Sequence, residues 1–195
     1  MTSNPLPSYW AVAAASAVAM IVLTAAPAAS AADNATSKVA RGQYLVQTSV
    51  CHDCHTPFKM GPHGPEPDMS RMLSGHPESL VMPPAPALPP GPWIVSSAAT
   101  NTAHAGPWGV SFTANLTPDA ETGLGQWTLK NFMDTIRSGR HMGRGRPVLP
   151  PMPIPVYNHF TDDDLEAVYA YLRTIPPIRN RVPEPLPPAQ KSAAN

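Results

Sequence analysis

Cys51-His52-Asp53-Cys54-His55 is the stretch on which the reading of this chain turns. It is a Cys-x-x-Cys-His run, the attachment signature of a c-type haem. Two thiols at this spacing can each add to one of the two vinyl groups of a single porphyrin. The adjacent imidazole of His55 then lies under the iron as its proximal ligand. Other readings of the same residues fare worse. A thioredoxin-like redox pair calls for a βαβ context, and none follows. A closed zinc site needs four ligands. Cys51 and Cys54 are the only cysteines in the chain, and no histidines stand at finger-like spacing to complete the set. A disulfide between the two would close too small a loop to stabilise much. The expectation is one covalent haem c with its iron.

Upstream of this run, the first 32 residues carry no charged side chain. An apolar segment from Tyr9 to Thr24 is followed by small residues, and Ala29-Ser30-Ala31 fits an A-x-A cleavage pattern. Residues 1–32 are therefore read as a signal peptide, or as an uncleaved anchor that would give membrane association through the N-terminus. Met1–Ser8 lacks the usual Lys or Arg, but the Ala-rich run broken by Pro27 favours cleavage. Either way the remainder is exported, and the expected location is periplasmic. That compartment suits covalent haem, which bacteria attach outside the cytoplasmic membrane.

The rest of the 195 residues suits one domain, expected over 38–183, with a mobile tail from Arg179 whose last part, 184–195, stands outside that domain. Formal net charge is zero, which argues against a nucleic-acid partner and against strong electrostatic steering. There are 27 prolines, concentrated between Pro57 and Pro107 and again after Pro176. Residues 57–107 read as a long proline-rich insertion of irregular backbone. Trp93, Trp108, Met69, Met72 and Leu73 give it apolar groups to bury, so it is expected to wrap the body and cover part of the haem edge.

Helices are expected on both sides of the insertion. Ser37 is a candidate cap for a helix over Val39–Ser49 that delivers the chain to Cys51. Gly42 in its middle lowers helix propensity, but it would permit a close helix–helix contact. Thr128 caps a helix over Leu129–Ser138, with Leu129, Phe132, Met133 and Ile136 on one face and Gly139 as the stop. Thr161 caps the last helix. Its acids Asp162-Asp163-Asp164 suit the positive end of the helix dipole, and Pro176-Pro177 follow it.

An iron held by one histidine needs a second axial ligand or an open site, and that choice separates carrier from enzyme. The candidates are the methionines and His63, His76, His104, His141 and His159. Met152 is preferred, because Pro151 and Pro153 stiffen its loop shortly before the last helix. A rigid thioether limits reorganisation on electron gain and favours the ferrous state. Met142 and His141 are the runners-up. Met152 as mere core filling is the bland alternative.

Taken together, these residues carry a pattern that resembles class I-type cytochrome c domains. It is most similar to the haem modules of the cytochrome subunits of bacterial membrane-bound alcohol and gluconate dehydrogenases. The matching segments are Arg41-Gly42 with Tyr44-Leu45-Val46, Cys51–His55, Asn115-Leu116-Thr117-Pro118-Asp119, Thr122-Gly123-Leu124-Gly125 with Trp127, Phe132 to Gly139, Pro151-Met152-Pro153 with Tyr157, and Asp162 to Arg173. The resemblance implies attachment at Cys51 and Cys54, with His55 and Met152 as the metal ligands. It implies an all-α, cytochrome c-like fold around one covalent haem, in which the first and last helices cross near the haem. It also suggests Trp127, Tyr157 and Arg137 as pocket or propionate residues. Those subunits carry several haems, whereas this sequence has a single Cys-x-x-Cys-His run.

Two function classes follow. The first is an electron carrier, not itself an enzyme. It would take single electrons from an exported or membrane-bound dehydrogenase or a quinol-oxidising complex and pass them to an oxidase or another cytochrome. The second is a haem enzyme, peroxidase-like or sulfur-oxidising, with a labile distal ligand and His104 or His141 in acid–base roles. The single haem and the Pro-Met-Pro loop favour the carrier.

Overall fold

The computed structural model describes residues 26–86, 88 and 91–188, together with Met1. The apolar N-terminal run and residues 189–195 lie outside the described residues.

Two helices form the frame. Helix α1 spans Ala26–Thr48 and packs mainly against α5, Asp162–Leu172. Helix α1 starts well before Ser37, whose hydroxyl donates to the Asn34 carbonyl within the helix and does not cap it. The crossing is tight at Gly42, where a Cβ would stand 1.9 Å from the Ala167 carbonyl oxygen. Glycine there gives up helix propensity and gains backbone approach. Leu45 and Val46 of α1 meet Leu165, Val168 and Leu172 of α5 in the core. At the edge of the crossing, Arg41 pairs with Asp164 at 3.0 Å and Lys38 with Glu166 at 2.6 Å. Both pairs are partly exposed and add little stability.

Helix α2, Cys51–His55, follows α1 after Val50, which sits in the left-handed region at φ 53°. Helix α3, Leu129–Ser138, carries the expected Thr128 cap, completed by the Asn131 side chain, and stops at Gly139 with φ 65°. A short α4, Ile154–Tyr157, follows Met152. Thr161 caps α5 by accepting from the Asp164 amide at 3.0 Å.

The all-α expectation is corrected by two antiparallel sheets. Strands β1, Phe58–Gly61, and β2, Gly64–Pro67, form a hairpin. Strands β3, Ser96–Ser97, β4, Ala103–Gly106, and β5, Gly109–Phe112, form a second sheet in that order. Both two-residue hairpin turns are Gly-Pro-x-Gly, at 61–64 and 106–109, and in each the flanking glycines are register partners. Such short strands carry too few residues for a period-2 pattern, and they lie among prolines. The turn signature was nonetheless present.

The tail also departs from expectation. Residues 179–188 are held against the body. Asn180 is fully buried, and Leu186 forms a bridge to Val110 on β5. The insertion is tied to the body by Leu73, which is fully buried, and by Gly75, whose amide donates to the His55 carbonyl at 2.8 Å. Of its other apolar residues, Trp93 and Met69 are exposed, while Met72 and Trp108 are half-buried.

Candidate haem-binding site

A cavity of about 470 Å³ opens between the two halves of the chain. Helix α1 contributes Leu45 and Val46 to it, and α2 contributes Cys51, Cys54 and His55. Its remaining walls include Ser111–Leu116, Trp127, Phe132 and Ile136, the Pro151-Met152-Pro153 loop, and Tyr157. Most of these groups are apolar.

Cys51 and Cys54 are both half-buried and unpaired. Burial pushes the Cys51 thiol up to about 11 and raises Cys54 as well, with Asp53 adding to the second shift. Both are thus held as thiols and not as thiolates. His55 is buried, and burial lowers its pKa, so the ring is neutral. Its Nδ1 donates to the Ala114 carbonyl at 2.8 Å. That bond fixes the tautomer and leaves the Nε2 lone pair as the ligating position. The Ala114 carbonyl is itself positioned by Gly75. A Cβ there would stand 2.4 Å from the Thr113 oxygen and 2.6 Å from the Ala114 carbonyl carbon and oxygen. Gly75 also has φ 76°, a conformation that suits glycine.

Met152 lines the same cavity, half-buried. Ser111 braces its loop by donating its hydroxyl to the Pro150 carbonyl at 2.6 Å. After it, the Pro153 carbonyl accepts from Val156 and Tyr157 as α4 begins. The Tyr157 hydroxyl donates to the Ser49 carbonyl, which links the Met152 side to the turn before Cys51. Among the runners-up, His141 borders the cavity with its ring edge-on to Trp127, whereas Met142 does not line it. His104 is buried in the second sheet with Nδ1 on the Ser97 hydroxyl and does not reach the cavity wall, so an acid–base role there has no geometric support. His76 is likewise absorbed by Thr102 and the Leu80 carbonyl. His63 and His159 are exposed and do not line the cavity.

Two expectations about the surroundings change. Trp127 and Tyr157 line the cavity, but Arg137 does not. Its guanidinium donates to the Asn158 and Phe160 carbonyls and pairs with Asp162 at 2.7 Å, so it braces the turn between α4 and α5. Among its described residues, the insertion 57–107 contributes nothing to the cavity wall. It packs behind His55, where the Thr56 hydroxyl accepts from the Leu73 amide at 2.9 Å. Sequence reasoning missed the Ala114 carbonyl, Gly75 and the tail residues 181–185 that form part of the wall. A backbone carbonyl has no residue signature. The only pointer was its place directly before Asn115-Leu116-Thr117-Pro118-Asp119.

The family model for cytochrome c matches residues 39–176. The chain belongs to the cytochrome c family. It is 30% identical to the cytochrome c subunit of the quinone-dependent alcohol dehydrogenase of Gluconobacter oxydans over 178 residues, 90% of this chain and 29% of that protein. It is 28% identical to the fructose dehydrogenase cytochrome subunit of Gluconobacter japonicus, over 70% of this chain and 21% of that protein. It is also 28% identical to the gluconate 2-dehydrogenase cytochrome c subunit of Pantoea cypripedii, over 80% of this chain and 27% of that protein. The aligned chain thus spans less than a third of the length of each of these relatives. Membership implies a covalent haem c with its iron and points to electron transfer. The residues present fit that group. There are two unpaired thiols on the wall, a neutral imidazole with its outer nitrogen already bonded, and an apolar cavity.

Proposed function

We propose that this protein is a single-haem c-type cytochrome that carries single electrons between partners outside the cytoplasmic membrane. Residues 38–183 would form the haem domain, and residues 1–32 the export segment. Cys51 and Cys54 would hold the haem through thioethers, and His55 Nε2 and the Met152 thioether would be the axial ligands. The observation that carries this reading is that all four side chains border one apolar cavity. When bound, the haem supplies a one-electron change at iron. The chain orients His55 through Ala114, holds Met152 on a loop braced by Ser111, and presents a mainly apolar surface to the site.

The relatives are cytochrome subunits of alcohol, fructose and gluconate dehydrogenases. They support an exported or membrane-bound dehydrogenase as electron donor, with a quinol-oxidising complex as the other source. An oxidase or another cytochrome would be the acceptor. The site is proposed to lie in the periplasm. Among the described residues no helix is long and apolar enough to cross a membrane. Membrane association, where it occurs, is proposed to run through residues 1–32.

Protein matured in a host with the haem-attachment machinery should gain the mass of one haem. Its oxidised form should show the sulfur-to-iron charge-transfer band. Met152→Ala should abolish the band and Met142→Ala should retain it. The reverse pattern would move the ligand to Met142, and a chain of bare polypeptide mass would end the reading.

A further inference from the structure

One wall of the cavity comes from the chain after the last helix. Arg181, Val182, Pro183, Glu184 and Pro185 all border it. This segment is held at both ends. At its start, Asn180 is fully buried. The Asn180 side-chain oxygen accepts from Arg71 Nη2 at 3.1 Å and from the Glu78 amide at 2.9 Å. Its side-chain nitrogen donates to the Ser74 and His76 carbonyls at 2.6 and 2.8 Å. At its far end, Leu186 and Val110 exchange two backbone hydrogen bonds of 2.9 Å each. Gly109 makes room for that end. Its φ is 96°, and a Cβ on it would stand 2.0 Å from the Leu186 oxygen. Between the anchors, Pro183 and Pro185 fix φ and leave the backbone little freedom.

We propose that residues 181–185 form a fixed strap that shields the bound haem from water on this side and so holds its reduction potential up. The proposal rests on the haem reading above and adds the group that tunes it. The physical cause is the extra positive charge of the ferric centre. Water stabilises the ferric state more than the ferrous, so excluding water favours reduction. The Glu184 carboxylate pulls the other way, since a negative charge near iron favours the ferric state. Its side chain is 82% exposed and lies 3.0 Å from Arg146 Nε. Solvent and this partner screen it, so water exclusion dominates.

The test uses the full, haem-loaded chain. Haem content and the charge-transfer band are recorded first; a native chain without haem refutes the parent reading and not the strap. The strap is then released in three ways. Gly109→Ala crowds the far anchor, Leu186→Pro deletes one of its two hydrogen bonds, and a chain ending after Asn180 removes the strap while keeping its first anchor. Hydrogen exchange at 108–112, where the Val110 amide donates to the Leu186 carbonyl, reports release in the two point variants. The expected result is faster exchange there and a lower midpoint potential, with the charge-transfer band intact. The truncated chain should show the same downward shift. Where Gly109→Ala yields no folded protein, Leu186→Pro and the truncation decide. An unchanged or raised potential in a released variant that keeps its band overturns the proposal.

Discussion

At the scale of single residues, Gly75 shows how a site can depend on an atom that is absent. The Ala114 carbonyl that holds His55 lies where a side chain at position 75 would go. Gly75→Ala meets both a positive φ and a backbone contact at 2.4 Å, and neither can relax without moving the 113–114 peptide. Strained substitutions of this kind cost more than about 1 kcal/mol, and the displaced carbonyl would loosen the ring of His55 as well. The expected outcome is a lower denaturant midpoint together with a broadened or shifted haem absorption. A variant with native midpoint and native spectrum would show that Ala114 holds its place without Gly75. Legibility differs sharply between neighbours at this scale. Cys51, Cys54 and His55 stand out in the sequence because reaction with a porphyrin dictates side chains and spacing, and Met152 stands out because prolines flank it; the structure places all four on the wall of one cavity. Gly75 does not stand out, because its role is to leave space for a segment nearly forty positions away, and nothing local records that.

Among elements, the crossing of α1 and α5 sets two effects against each other at Gly42. Helix propensity favours alanine over glycine by about 1 kcal/mol. The crossing opposes it, since the added carbon would lie 1.9 Å from the Ala167 carbonyl oxygen and 2.8 Å from the Tyr171 Cβ. Backbone cannot step aside as a flexible side chain can, and overpacking typically costs about 1–3 kcal/mol. The contact should win. Gly42→Ala is expected to destabilise the haem-loaded protein in equilibrium unfolding, and a gain in stability would mean that the helices do not approach here. The capped helices were the most legible elements. Thr128 with Gly139, and Thr161 with its run of acids, announce their ends locally. The sheets were not legible. Strands of two to four residues cannot display alternation, and both hairpins sit in sequence dominated by proline. Their Gly-Pro-x-Gly turns are the local signal that carries the information. The onset of α1 is hidden for a different reason: Ser37 has the chemistry of a cap, but its hydroxyl is used inside a longer helix.

At the scale of the whole molecule, three segments far apart in sequence meet at Asn180. Its side chain binds the insertion through Arg71, Ser74, His76 and Glu78. Its main chain binds the Asn115–Thr122 loop, with the amide donating to the Thr122 hydroxyl and the carbonyl accepting from Asn115. It also begins the strap along the cavity. No local pattern in the sequence could reveal such a junction, because its partners lie up to about a hundred positions away, and the tail was accordingly expected to be loose. Asn180→Ala would strip partners from buried groups on the insertion. Each buried group left unsatisfied costs about 1–3 kcal/mol, so the loss should be several kcal/mol, read as a lower denaturant midpoint. Asn180→Asp separates shape from hydrogen bonding. It keeps the oxygen that accepts from Arg71 and Glu78, but it turns a second oxygen toward the Ser74 and His76 carbonyls, now without a proton to donate. The Arg71 guanidinium, 3.1 Å from the retained oxygen, offsets part of that repulsion, but the two carbonyls still lose their donor. Asn180→Asp should therefore also lower the denaturant midpoint, although the side chain keeps its size. A native midpoint in Asn180→Asp would mean that the Asn180 amide nitrogen does not bridge the tail to the insertion.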